Sequence, residues 1–501
     1  MKKFRIIFLL GLWSLFIAIP ASGQETGRSL YREGYEAYNN EDYITAVSHF
    51  MQAARKYDNA EAQTGLGLCY YNGLGIPKNY EKAVYWYRKA AEQSLPDAQF
   101  QLGYCYYHGN GISQDYEMAV EWYRKAAGQG LYGAQYNLGY CYYYGNGISQ
   151  SYEMAVEWYR KAAEQGLSKA QHNLGLCYYY GDGISQNYEM AVEWYRKAAE
   201  QGLPEAQFSL GQYYYHGDGI SQNYEKAVEW CRKAAEQGIS EAQYLLGRCY
   251  YHGKGIPLNY REAFSWLRLA AEQGLPDAQF LLGQCYYNGD GISQNYEKAV
   301  EWYHKAAEQG LSKAQHNLGT CYYDGNGILQ NYEKAVEWYR KAAEQGLLEA
   351  QYSLGVCYYY GNGILQDYRE AVHWFRLTAE QGIPEAQFRL GVCYNSGDGI
   401  SQNYEKAVEW TRKAAEQGQP DAQYNLGISY YNGYGISKNY EKAVYWFRLA
   451  AEQGDKGAQS ILGLCYLEGH GVIKSRSETF KWMSKAAAQG DVLAQEWLDQ
   501  N

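Results

Sequence analysis

After residue 19 the chain has no apolar run long enough to cross a bilayer, which needs about 20 apolar residues in a row. It has no excess of positive charge. Lys and Arg number 45 against 55 Asp and Glu, for a formal net charge of −10. That balance argues against a nucleic-acid partner, which calls for a basic stripe, and disfavours anionic membrane surfaces for the same reason. There is no Cys-x-x-Cys pair, so a zinc site has no support. The recurring Gly-x-Gly stretches lack the Lys-Ser/Thr of a phosphate loop, and no EF-hand pattern with its late Glu follows them. No Ser–His–Asp or Cys–His grouping stands out. No catalytic residue, metal ligand or cofactor is therefore assigned.

What the chain has is a 36-residue unit, best seen at 278–313. Its opening Ala-Gln recurs at Ala62, Ala98, Ala134, Ala170, Ala206, Ala242, Ala278, Ala314, Ala350, Ala386, Ala422 and Ala458, and a truncated copy opens at Ala494. A fixed period of this length marks an array of supersecondary units. Residues 278–287 read as a helix, with Ala278, Leu282 and Tyr286 on one face. Gly283 inside that helix costs about 1 kcal/mol relative to Ala, so its recurrence predicts a close neighbour. Gly289 and Gly291 end the helix. Asn295 is in the position of an N-cap, and its column holds only Asn, Asp or Ser. A second helix follows, with Ala299, Tyr303 and Ala306 as its apolar stripe, and ends at Gln309-Gly310. Pro96, Pro204 and Pro276 suit a first helical position.

Four segments are expected. Residues 1–23 read as a secretory leader: Lys2, Lys3 and Arg5, an apolar stretch, then Ala21-Ser22-Gly23, with cleavage between Gly23 and Gln24. Residues 24–61 form a divergent helical pair without the Gly-x-Gly loop. Residues 62–493 are twelve full units, and 494–501 a half unit that closes the end. Export would normally imply disulfides among eleven cysteines. Ten of them, however, occupy one repeat column, and stacked helices lie about 8–10 Å apart, whereas a disulfide needs Cα atoms within about 7 Å. They are expected to be small buried packing residues. Cys231 alone lies in a second helix, and its redox state is left open. Gly-Asp-Gly and Gly-Asn-Gly read as structural turns. His108, His216 and His252 share one column and stand too far apart to ligate one metal ion. Charges on the second helix, such as Glu337 and Lys341, are expected to form a solvated face.

The pattern Ala-x-x-x-Leu-Gly-x-x-Tyr, Gly-x-Gly-Ile/Val, Ala-Val-x-Trp-Tyr and Ala-Ala-x-Gln-Gly resembles the Sel-one-like repeat, a relative of the tetratricopeptide repeat. Leu30, Gly34, Tyr38, Ala46, Phe50 and Ala53 resemble a tetratricopeptide repeat, which makes residues 24–61 an N-terminal cap. The resemblance implies an all-α fold, a right-handed α/α superhelical solenoid of helix–loop–helix repeats, and an adaptor or scaffold role. By alignment onto the tetratricopeptide pattern, the column two residues after the unit's Ala faces the concave groove. It holds Phe100, Tyr136, His172, Phe208, Tyr244, Phe280, His316, Tyr352, Phe388 and Tyr424. The second Tyr of each pair, as in Tyr107, Tyr143, Tyr215 and Tyr287, is placed there too, as is the residue after it. Asp97, Glu205, Glu241, Asp277, Glu349 and Glu385 give the groove an acidic edge. Tyrosine-rich surfaces suit binding, since the ring offers area with little entropy loss and a polar tip. The competing reading is that the column packs between helices.

The expected function is an exported, non-enzymatic scaffold, periplasmic or extracellular, that holds a protein partner on an aromatic groove. One alternative is a carbohydrate or peptidoglycan-fragment binder, because sugar rings stack on aromatic faces. Another is a cell-wall-directed hydrolase, an activity that the resemblance associates with cysteine-rich members. Those carry two cysteines per unit and this chain carries one.

Overall fold

The computed structural model describes residues 22–501. The expected leader falls almost wholly outside that range. Gly23 and Gln24 lie in the first turn of the helix Ser22–Asn39. Among the described residues there are 27 helices and no strand. They form two compact units divided between Ala242 and Gln243. Each unit is a stack of helix pairs in which helices pack on their neighbours in sequence, as Pro276–Asn288 does on Tyr260–Glu272 and Tyr296–Glu308.

One pair shows the construction. Its first helix is Pro276–Asn288 and its second Tyr296–Glu308. The first starts two residues before the apolar periodicity does. Pro276 at N1 has no N–H to leave unpaired, and Asp277 in the first turn suits the helix dipole. Gly289 ends it in the left-handed conformation at φ +86°, donating its N–H to Cys285 O. Asn295 caps the second helix by accepting from the Lys298 N–H, a contact worth about 1 kcal/mol. Tyr303 lies across Gly283, where a Cβ would come 2.6 Å from the ring. The glycine is thus the space into which the second helix fits its largest buried side chain. Gly291 has a different duty: at φ +76° it packs on the Tyr260 backbone of the preceding pair, and a Cβ would strike the Tyr260 carbonyl.

A polar ladder runs through the apolar core. Gln279 is 5% exposed. It donates to Ala271 O at 3.2 Å and accepts at 2.8 Å from Gln309, which also donates to Gly274 O at 3.0 Å. The first two contacts recur at Gln99 with Gln129, Gln171 with Gln201, and Gln423 with Gln453. The ladder explains why the Ala-Gln and Gln-Gly pairs repeat together. A buried amide without partners would cost about 1–3 kcal/mol, and each glutamine supplies what the other lacks.

The cysteines are all buried, and none forms a disulfide. Burial pushes thiols such as Cys105 and Cys285 up to about 12. The first pair, Ser22–Asn39 and Tyr43–Lys56, turns over without a Gly-x-Gly loop and buries Phe50 against Gly34 and Gly65. The last helix, Val492–Gln500, lays Trp497 and Leu498 on Met483 and Ala486.

Candidate functional site

The aromatic column on the first helices is half-buried throughout. Most members rest against a ring on the second helix of their own pair: Phe100 on Tyr123 at 5.9 Å between centroids, Tyr136 on Tyr159 at 5.8 Å and Phe280 on Tyr303 at 5.9 Å. Tyr352 and Tyr424 rest likewise on Phe375 and Phe447. The column therefore carries both readings at once, one face of each ring packed on the core and the remainder open. Phe208, Tyr244 and Phe388 occupy pairs whose second helix holds Cys231, Leu267 or Thr411 at the facing position. His172 and His316 lie on Tyr195 and Tyr339 at 5.4 Å, each near a serine of the following pair, Ser209 and Ser353. Burial lowers the pKa of both imidazoles.

The second Tyr of most pairs is engaged in a role that the sequence does not reveal. Its phenol meets the middle residue of the next Gly-x-Gly loop. Asn146 donates to Tyr107 at 2.8 Å, Tyr143 donates to Asp182 at 2.6 Å, and Asn326 donates to Tyr287 at 3.0 Å. Tyr251 and Asp290 repeat the pattern at 2.6 Å, and Tyr431 meets His470 Nδ1 at 2.7 Å. These phenols latch each pair to the next one, and Asp182 and Asp290 serve as their acceptors. Tyr215 is 8% exposed. The fully presented rings belong to the residue that follows: Tyr144 is 56% and Tyr180 62% exposed. His108, His216 and His252 stand in the same column and are exposed. At the acidic edge, burial raises the pKa of Asp97, while Glu205, Asp277 and Glu385 are exposed.

The second helices present a different surface. Lys125 lies 4.1 Å above the Trp122 ring and 2.7 Å from Glu121, and Lys161 and Lys197 repeat both contacts with their own Trp and Glu. Lys341 lies 4.0 Å above Trp338. Exposed pairs of this kind contribute at most about 1 kcal/mol.

One place breaks the regularity. A cavity of about 470 Å³ opens in the second unit, lined by Asn395, Thr411, Asn425, Ser429, Tyr404 and Tyr434 among others. Only a column-by-column comparison of the copies points to it, since Asn395, Thr411 and Ser429 each depart from the usual residue. A smaller cavity of about 80 Å³ lies among Tyr31, Tyr35, Tyr38, Phe50 and Thr64.

Compared with known proteins, the chain matches the Sel1 repeat family twelve times, over residues 60–95, 96–131, 133–167, 168–203, 204–239, 240–275, 276–311, 312–347, 348–383, 384–419, 420–455 and 457–491. Among solved structures it is similar to a protein described as a protective antigen present in uropathogenic Escherichia coli strains displaying an SLR fold. Identity is 37%, the match covers 90% of this chain and 97% of that one, and the TM-score is 0.77. A Sel1 repeat protein from Oxalobacter formigenes is 34% identical over 62% of this chain and 90% of its own, with a TM-score of 0.51. A stretch of 56 residues is 46% identical to the human "Protein sel-1 homolog 2". That stretch is 11% of this chain and spans only 8% of the human protein's length.

Proposed function

Because the chain belongs to the Sel1 repeat family, we propose that it is an exported, non-enzymatic scaffold that holds a protein partner on the face of its first helices. The observation that carries this reading is the row of half-open rings, six of the ten with a polar tip, repeated every 36 residues and set between exposed Tyr144, Tyr180 and Tyr360. Such a row offers large contact area at low entropy cost, and stacked repeats present it as a long surface suited to an extended partner. The phenol latches and the glutamine ladder hold the presenting helices, so little ordering remains to be done on binding. Sel1 repeat proteins are generally scaffolds without catalysis, and the one-cysteine unit departs from the members for which hydrolysis is known. Export rests on the leader-like residues 1–23. The protective-antigen description of the Escherichia coli relative is in keeping with it.

The test compares the native chain with a Tyr144→Ala, Tyr180→Ala, Tyr360→Ala variant. These rings are exposed, so the substitutions leave the core intact. Envelope protein retained by the native chain and released by the variant supports the scaffold. Retention of cell-wall glycan with no protein overturns it. Export is checked separately on material from the producing cell: a mature N-terminus at Gln24 outside the cytoplasm supports it, and an intact Met1 in the cytoplasm refutes it.

A further inference from the structure

We infer that the cavity between the pairs 384–419 and 420–455 is a receptor for a phenolic ring, that of a tyrosine side chain on the partner polypeptide. The inference rests on the scaffold reading for the source of that ring, and on the other repeats for its chemistry.

The other copies show what normally narrows this space: the equivalent opening beside Tyr287, Tyr303 and Asn317 holds about 270 Å³. Asn395 stands where Tyr107, Tyr143, Tyr287 and Tyr359 stand, and Thr411 where Tyr123, Tyr159, Tyr303 and Phe375 stand. Two rings are therefore missing from one place. In several intact copies an asparagine of the next pair lies beside the second-helix phenol, as Asn173 does beside Tyr159 and Asn317 beside Tyr303. The matching residue here is Asn425, which lines the cavity with no phenol opposite it. In three other copies the facing residue changes with the ring, whereas Phe375 is faced by Arg389, which turns to the Tyr360 phenol at 3.0 Å. Leu267 is answered by Leu281, both buried, and Phe447 by Ile461. Met483 is answered by Trp497, which packs on it. At Thr411 the ring is gone and the facing asparagine is kept.

The remaining walls agree with an incoming neutral ring. No charged side chain lines the cavity. Val392 and Ile428 offer apolar contact, and the Ser429 hydroxyl is already turned to Asn425 O at 2.9 Å. At the mouth Tyr404 and Tyr434 stack at 6.1 Å and are both exposed. The volume of about 470 Å³ falls within the roughly 300–1,000 Å³ typical of ligand pockets. Cavities opened by removing side chains do accept rings of matching size.

The full chain is titrated with p-cresol, N-acetyl-tyrosinamide, N-acetyl-phenylalaninamide and N-acetylglucosamine, followed by calorimetry and ligand-observed NMR. Saturable binding of the two phenols is expected, with the phenylalanine amide weaker by roughly tenfold for want of one hydrogen bond. Thr411→Tyr rebuilds the residue of the other copies. It should abolish phenol binding and raise the melting temperature. Asn425→Leu keeps the shape, should erase the preference for tyrosine over phenylalanine, and serves if Thr411→Tyr fails to fold. Binding of N-acetyl-tyrosinamide at least as tight as that of p-cresol assigns the ring to a polypeptide. Exclusion of the amide while p-cresol binds overturns that source in favour of a free phenol. No phenol binding to the native chain, binding unchanged in both variants, or saccharide binding in place of phenol overturns the inference. These outcomes concern the cavity alone, whereas the capture experiment with Tyr144, Tyr180 and Tyr360 judges the scaffold.

Discussion

Replacing Gly283 by Ala tests the packing logic of the whole array. A helical Gly→Ala change normally stabilises by about 1 kcal/mol. Here the added methyl would lie 2.6 and 2.7 Å from two carbons of the Tyr303 ring and 3.3 Å from Ala299 O. The ring has little room to yield. It is 2% exposed, it carries the Phe280 ring at 5.9 Å, and its phenol lies beside Asn317. Overpacking of this kind costs about 1–3 kcal/mol, and losing the phenol contact adds about 1 kcal/mol. The sum outweighs the propensity gain, so Gly283→Ala should destabilise by about 1–3 kcal/mol. Gly128 is the internal control. It is helical and has nothing within 4 Å of a built Cβ, so Gly128→Ala should be neutral or stabilising by up to about 1 kcal/mol. A long array need not unfold in one step, so the readout is amide exchange in the helices Pro276–Asn288 and Tyr296–Glu308, with urea denaturation beside it. Equal protection in the Gly283→Ala variant and the native chain, with Gly128→Ala behaving alike, would refute the argument that the repeated glycine is a seat for the ring.

Three further outcomes follow from the same structure. Gln279→Leu removes the donor to Ala271 O and one of the two acceptors of Gln309 and should cost about 1–3 kcal/mol, seen as a lower urea midpoint; an unchanged midpoint would remove the ladder from the stability argument. Burial lowers the pKa of His172 and His316, so the unfolded chain takes up protons first as pH falls. Stability is then full above the unfolded value near 6.5 and declines below it, and a double His172→Phe, His316→Phe variant should lose part of that decline between pH 7 and 5. Thiols such as Cys105 and Cys285, raised to about 12 by burial, should resist a thiol reagent at pH 8 until denaturant is added, and rapid labelling of the folded chain would contradict their burial.

The parts of this fold readable in the sequence are those set within one helix or one turn. Asn295 as a cap, Gly289 as a stop and Gly283 as a seat are local statements, and the period repeats each of them many times. The parts that escaped are those whose partner lies far along the chain. Gln279 looks like a surface amide until Gln309, thirty residues on, closes over it. Tyr143 looks like a presented ring until Asp182, thirty-nine residues on, accepts its phenol. Both partners are themselves polar residues in turn-like contexts, where exposure is the ordinary expectation. The aromatic column escaped for another reason. A ring is wide enough to pack on the core and face outward at once, so Phe280 or Tyr352 answers to both descriptions, and periodicity cannot divide them.

The repeats themselves argue about where specificity lies. Residues 222–230, 294–302, 330–338 and 402–410 are identical in sequence, so a partner read only by such copies would find several equivalent places. Identical sites set spacing and total contact but give no register. The cavity at Thr411 differs: three columns change together there, at Asn395, Thr411 and Ser429, and Asn425 remains without the ring it meets elsewhere. A partner with one tyrosine anchored there would bind in a single register along an otherwise repetitive face. Closing the cavity with Thr411→Tyr should then leave total retention of a long partner largely intact and blur its position. Crosslinking from Tyr180 and Tyr360 to a partner of mapped sequence would show this as several crosslinked sites where the native chain gives one. A single unchanged crosslink in the variant would place the register elsewhere on the array.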